Sequence, residues 1–135
     1  LAAAPRDATV YNNRGYSRLL QRRAPEAEAD FLMALQLQPK LGSAETNLRL
    51  ARGLQGHYTE AFAGSSREQL GRDLNTVGYA ALLRGDMKLA ESYFSLALEL
   101  DPQYQGTAAA NLAYLKQLAN QSAATAPTLK PAIQP

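Results

Sequence analysis

The stretch Leu74-Asn75-Thr76-Val77-Gly78-Tyr79, followed by Arg84-Gly85-Asp86 and then by Ala90, Phe94, Ala97, Leu98, Leu100 and Pro102, decides the fold. Small residues at Gly78, Ala90 and Ala97 lie on an apolar helical period, with a turn in the middle and a proline stop. That pattern predicts two antiparallel helices packed closely through their small residues. A hairpin of this kind cannot bury both faces alone, so the rest of the chain is expected to supply neighbours.

The neighbour is a second copy. Gly15 to Ala27 is twelve residues, as is Gly78 to Ala90, and Ala27, Phe31, Ala34 and Pro39 recur in register as Ala90, Phe94, Ala97 and Pro102. Five matched small, aromatic or proline positions make an internal repeat. Tyr11 and Leu74 fill the equivalent first-helix position. Between the copies, Gly42 to Leu70 is 29 residues long, short of a ~34-residue repeat unit. It carries a hairpin through Leu48, Leu50 and Leu54, a turn at Gly56-His57, and Tyr58, Ala61 and Phe62. Ala63-Gly64-Ser65-Ser66 stands where the second helix should continue, so that helix is expected to be short or bent.

These positions resemble the tetratricopeptide repeat, a helix-turn-helix unit with small, aromatic and proline residues in this order. The resemblance implies an all-α solenoid of three antiparallel hairpins, at 8–41, 42–70 (degenerate) and 71–104. Residues 107–120, with Leu112, Leu115 and Leu118 on one side and Lys116, Gln117 and Asn120 on the other, read as a helix capping a single domain over 8–120. Residues 1–7 are expected to be a flexible lead-in, and 121–135, rich in Ala and Pro, a flexible tail.

Composition narrows the function classes. Hydrophobic residues are 46% and charged ones 19%, ordinary for a folded soluble protein, and the net charge of +2 is too small for a nucleic-acid or membrane footprint. Cysteine is absent, so neither disulfides nor thiol chemistry is available. No apolar run approaches the ~20 residues that span a bilayer. The chain begins at Leu1 without methionine and reads as a mature or trimmed chain, in which any signal or lipidation segment would be invisible. His57 sits in a turn with no second ligand nearby, and no serine lies in a nucleophile setting. Glu26, Glu28 and Asp30 read as early-helix charge on a solvated face. The Arg84-Gly85-Asp86 triplet is explained by a turn, and Arg22-Arg23 by another. No catalytic residue, metal or cofactor is assigned, and the chain is not expected to be an enzyme.

What remains is a surface. By the resemblance, the first helix of each hairpin lines a concave groove, built from Asn12, Tyr16 and Leu20, then Asn47 and Leu50, then Arg72, Asn75, Tyr79 and Leu83. Asparagine offers a donor and an acceptor to a partner backbone, tyrosine a large amphipathic contact, and leucine an apolar floor. Leu20, Leu50 and Leu83 could equally be inter-helix core. The amides and tyrosines are assigned to the groove, because a buried amide needs partners. Only Asn47 and Arg72 match the carboxylate clamp of chaperone-adaptor members.

The run from Leu74 to Ala81 with Arg84-Gly85-Asp86, preceded by a shortened repeat, is similar to bacterial tight-adherence (Flp/Tad) pilus assembly lipoproteins. That resemblance implies a pilotin-like scaffold in the periplasm, anchored to the outer membrane and binding a secretin or another pilus component. The alternatives are a general chaperone adaptor, a cytoplasmic location, or a self-associating structural protein whose groove is filled by its own tail. That tail carries Leu129 and Ile133.

Overall fold

The computed structural model describes residues 7–100 and 107–121. Among them the fold is all-α, with seven helices and no strand: α1 Ala8–Leu20, α2 Ala24–Leu37, α3 Gly42–Leu54, α4 Tyr58–Ala61, α5 Leu70–Arg84, α6 Met87–Leu100 and α7 Thr107–Asn120. The helix starts and stops have local causes. Asp7 caps α1, its carboxylate accepting from the Thr9 amide at 2.9 Å, so it belongs to the helix rather than to a lead-in. Pro25 sits in the first turn of α2, where its missing N–H removes no helical bond. The lead-in over 1–6, the stop at Pro102 and the tail over 122–135 lie outside the described residues.

Three turns share one geometry. After α1, Arg22 donates its backbone N–H to Leu19 at 3.0 Å and Arg23 donates to Arg18 at 2.9 Å. After α3, Gly56 donates to Gly53 and His57 to Arg52, both at 2.9 Å. After α5, Gly85 donates to Leu82 at 3.0 Å and Asp86 to Ala81 at 2.9 Å. This is the Schellman closure, which needs a left-handed residue just past the helix. Gly56 (φ 80°) and Gly85 (φ 86°) supply it without strain, but Arg22 does so at φ 64°. A left-handed conformation costs a side-chain-bearing residue roughly 1–2 kcal/mol, while glycine loses more freedom on folding. Arg22→Gly is therefore expected to stabilise the protein by about 0.5–1 kcal/mol, or roughly 2–4 °C in thermal unfolding. An unchanged or lowered melting temperature would contradict this.

The chain divides into two compact units, one ending at Ala61 and the other beginning at Phe62. The boundary falls inside the shortened repeat. In the first unit α1 and α2 form the hairpin, and α3 packs against α2 and runs beside α1. The close approach is made by Gly15. A Cβ there would stand 2.5 Å from Cε1 of Phe31, whose ring is fully buried. In the second unit α5 and α6 repeat the device: a Cβ on Gly78 would stand 2.7 Å from Cε1 of Phe94, also fully buried. There α5 is buried from Asp73 to Leu82 without interruption, which suits the uncharged run from Leu74 to Leu83. Phe62, Leu70, Tyr93 and Leu98 pack around the buried cluster of Leu74, Ala97 and Ala108. Phe62 meets Tyr93 edge-on at 5.3 Å and 74°.

The shortened repeat replaces the glycine–phenylalanine contact altogether. Where the full repeats have Gly15 and Gly78, it has Arg49, and α4 ends after four residues with no phenylalanine at the matching place. Arg49 is buried; its Nη1 donates to the Ala61 carbonyl at 2.9 Å and its Nη2 to Glu45 Oε1 at 3.2 Å. Arg52 reaches the neighbouring Glu60 carbonyl at 3.3 Å. Two guanidinium groups from α3 thus hold the last carbonyls of α4, which a helix of one turn cannot satisfy internally.

Candidate functional site

The nine residues assigned to a groove fare differently in the two units. In the first unit the asparagines turn inward. Asn12 is 8% exposed and Asn47 1%. Asn47 Nδ2 donates to Asn12 Oδ1 at 3.1 Å, and Asn12 Nδ2 donates to Ser43 Oγ at 3.1 Å. These amides therefore join α1 to α3 and do not face solvent, which corrects the expectation. The partners that a buried amide requires are each other. Leu50 is buried as well, at 8% exposure. Tyr16 remains half-buried and Leu20 is 68% exposed.

The second unit repeats the device. Asn75 is 2% exposed, and its Oδ1 accepts from Nδ2 of buried Asn111 on α7 at 3.1 Å. Tyr79, expected to face a partner, is 6% exposed. Leu83 is half-buried and Arg72 is exposed. Of the third hairpin's assigned residues, only Arg72 and Leu83 present appreciable surface. Sequence reasoning passed over Ser43 and Asn111. The available signal was an asparagine about one repeat length beyond Asn12 and beyond Asn75.

The acidic group on α2 is also corrected. Asp30 is buried at 3% exposure. It accepts from Arg14 Nε at 3.0 Å and Nη2 at 2.7 Å, and from Arg18 Nη1 at 2.9 Å. The Arg14 guanidinium also lies over the Tyr11 ring, 5.5 Å from its centroid. The matching places in the other full repeat are Val77, Ala81 and Tyr93, so one hairpin is locked by charge where its copy is locked by apolar contact. Only Glu26 is exposed, paired with Arg23 at 2.6 Å.

Glu28 ties α2 to α3. It accepts from Arg52 Nε at 2.9 Å and Gln55 Nε2 at 2.8 Å. Burial works against its charge, but the hydrogen bonds from Arg52 and Gln55, with the charge of Arg52, outweigh it and hold the carboxyl below the ordinary range. A depressed folded-state pKa contributes stability that is fully present above the unfolded value, near 4.5, and is lost as pH falls through the folded one. Glu28→Gln should therefore lower the unfolding midpoint by a constant amount at neutral pH, with the gap to the parent closing below about pH 4.5. A gap that widens on acidification would contradict this.

The outcome for the first unit, among the described residues, is a face to which α1 and α3 contribute no unpaired charge. Asn12, Tyr16 and Leu20 form one row of α1, each a turn from the next. The bonds from Asn12 to Ser43 and Asn47 set the start of that row beside α3. The charged residues of these helices are engaged elsewhere. Arg14 and Arg18 turn to Asp30, Arg52 to Glu28, and Arg49 to Glu45 and Ala61. A tyrosine body, an exposed leucine and neighbouring hydroxyls can take up an apolar segment while offering hydrogen bonds to its backbone.

Other features bear less on function. Arg84 and Asp86 pair with each other at 3.5 Å across the Gly85 turn, both well exposed. His57 is exposed in the turn before α4. Among the described residues no three His, Cys, Asp or Glu side chains gather as a metal site would need. Nor is any described helix long and apolar enough to cross a membrane. No protein-family model matches the chain, and no curated protein matches it.

Proposed function

We propose that this protein is a non-enzymatic protein–protein interaction module of the tetratricopeptide type, an assembly scaffold that holds a segment of a partner on the α1/α3 face of its first unit. The observation that carries this reading is the uncharged face on which Tyr16 is half-buried and Leu20 is 68% exposed. An exposed leucine beside a tyrosine is the composition of an anchor for an apolar side chain. The Tyr16 hydroxyl suits the backbone of a bound peptide. The likeness of Leu74–Ala81 and Arg84-Gly85-Asp86 to tight-adherence pilus assembly proteins supports a finer version. In it the chain is a pilotin-like lipoprotein on the periplasmic side of the outer membrane, and the partner is a secretin or another pilus component.

The test is capture from envelope extract with the parent chain and with Tyr16→Ala/Leu20→Ser, the bound proteins being identified by mass spectrometry. Loss of an interface anchor costs about 1–2 kcal/mol, so the double variant is expected to weaken capture of a specific partner at least about tenfold. Its helical circular-dichroism signal should be unchanged. Undiminished capture of the same partner would overturn the assignment of this face. Capture of a partner other than a pilus or secretion component would overturn the finer version alone.

A further inference from the structure

We propose that the side of the α1/α2 hairpin turned away from α3 is a second docking surface, whose occupant is an amphipathic helix of a partner protein carrying a carboxylate among apolar residues. The inference goes beyond the α1/α3 reading, since it concerns the opposite side of the same unit. Asn12 on α1 and Glu28 on α2 mark the side that receives α3. At about 3.6 residues per turn, Val10 and Arg14 lie about half a turn round α1 from Asn12, and Asp30, Met33 and Leu37 about half a turn round α2 from Glu28. Arg14 meets Asp30 across the pair. In an antiparallel pair, one turn back along α1 is level with one turn on along α2. Val10 therefore stands level with Met33 and Leu37, and all three are exposed.

The second unit shows that this side of a hairpin need not be left bare. The residues matching Val10, Arg14 and Asp30 there are Asp73, Val77 and Tyr93. The segment before α5 reaches two of them: Ser65 donates to Asp73 at 2.6 Å, and Phe62 meets the Tyr93 ring. Val10 is 45% exposed where Asp73 is 1%, and the Arg14 side chain is 41% exposed where Val77 is fully buried. Charge then names the occupant. Arg14 and Arg18 share the single carboxylate of Asp30, so one guanidinium charge is left over beside the apolar residues. Glu26 is held by Arg23, and Asp7 caps the start of α1, two turns from Arg14. On the opposite side α3 shows the rule: beside the apolar contact of Ala44, its cation Arg52 meets the carboxylate that α2 offers, Glu28. The open side offers the reverse charge, so a helix laid there brings apolar anchors to Val10, Met33 and Leu37 and a carboxylate to Arg14.

The probe is a labelled model peptide of about fifteen residues, long enough to form a helix, with leucines on one side and glutamates beside them. Fluorescence anisotropy follows its binding to the full chain. It is expected to bind about tenfold more tightly than the same peptide with glutamine for glutamate, the difference that a hydrogen bond between charged groups makes. Val10→Ser/Leu37→Ser, at two exposed positions, should weaken binding about tenfold with an unchanged circular-dichroism signal. Tyr16→Ala/Leu20→Ser on the α1/α3 face, and Leu96→Ser/Leu100→Ser at exposed positions of α6, should bind as the parent does. Equal binding of the two peptides, or binding of neither, would overturn the proposal. So would binding that survives Val10→Ser/Leu37→Ser and is lost in either of the other two variants. A light-scattering mass that rises with concentration in the parent but not in Val10→Ser/Leu37→Ser would overturn it in favour of a second copy on this side.

Discussion

Phe31→Ala is expected to lower the free energy of unfolding by about 3–5 kcal/mol, the usual range for truncating a fully buried aromatic ring. The ring has no exposed surface, and it fills the space that Gly15 leaves on the facing helix. Removing it therefore opens a cavity against a residue with no side chain to move in. The converse change tests the same contact. Gly15→Ala raises helix propensity by about 1 kcal/mol, yet its methyl would lie 2.5 Å from the ring, and overpacking of this kind costs about 1–3 kcal/mol. A net loss is expected, with recovery when Phe31 is shortened to leucine in the same chain. Gly42→Ala is the control: at the start of α3, nothing lies within 4 Å of the place its methyl would take, so the same substitution should be neutral or stabilising. Chemical denaturation followed by circular dichroism measures all four. A Gly15→Ala variant as stable as Gly42→Ala would show that the ring yields.

That contact was legible in the amino-acid order, because spacing alone carries it: Gly15 with Phe31 and Gly78 with Phe94 repeat at the same interval, and only a small residue permits close helix packing. The all-α class followed from the same periodicity. The fate of the asparagines did not. A helical period puts Asn12, Tyr16 and Leu20 on one row, but not how far a neighbouring helix covers it. Asn12 is covered by α3 and Leu20 is not. Asn75 and Asn111 are 36 residues apart, and a pairing over that distance leaves no local trace. The burial of Asp30 was hidden for a similar reason. Its counter-ions, Arg14 and Arg18, lie on the preceding helix, and nothing near Asp30 in sequence distinguishes it from solvated Glu26.

Arg49→Ala is expected to destabilise by about 2–4 kcal/mol. It opens a cavity where the side chain was buried and leaves the Ala61 carbonyl without its donor. Arg49→Met separates the two effects, since it keeps the length of the aliphatic stem and removes only the hydrogen bonds. About half of the loss should return. Arg49→Lys should do no better than methionine, because one ammonium cannot span the Ala61 carbonyl and the Glu45 carboxylate as a planar fork does. Unfolding midpoints in urea rank the three variants. An alanine variant within about 0.5 kcal/mol of the parent, the range of a surface substitution, would remove Arg49 from this role.

Arg49 also limits which changes of length the shortened repeat can take. A full-length second helix in the shortened repeat would bring its phenylalanine against the first helix at the very place where Gly15 and Gly78 stay bare. With arginine there, simply restoring the missing residues would drive a ring into a buried cation and its ligands. Lengthening α4 therefore needs at least two changes, and a chain in which only Arg49 has been made small has neither the ring nor the fork to close the end of α4. The length of the shortened repeat and the arginine at its centre are therefore coupled, and neither can change without the other.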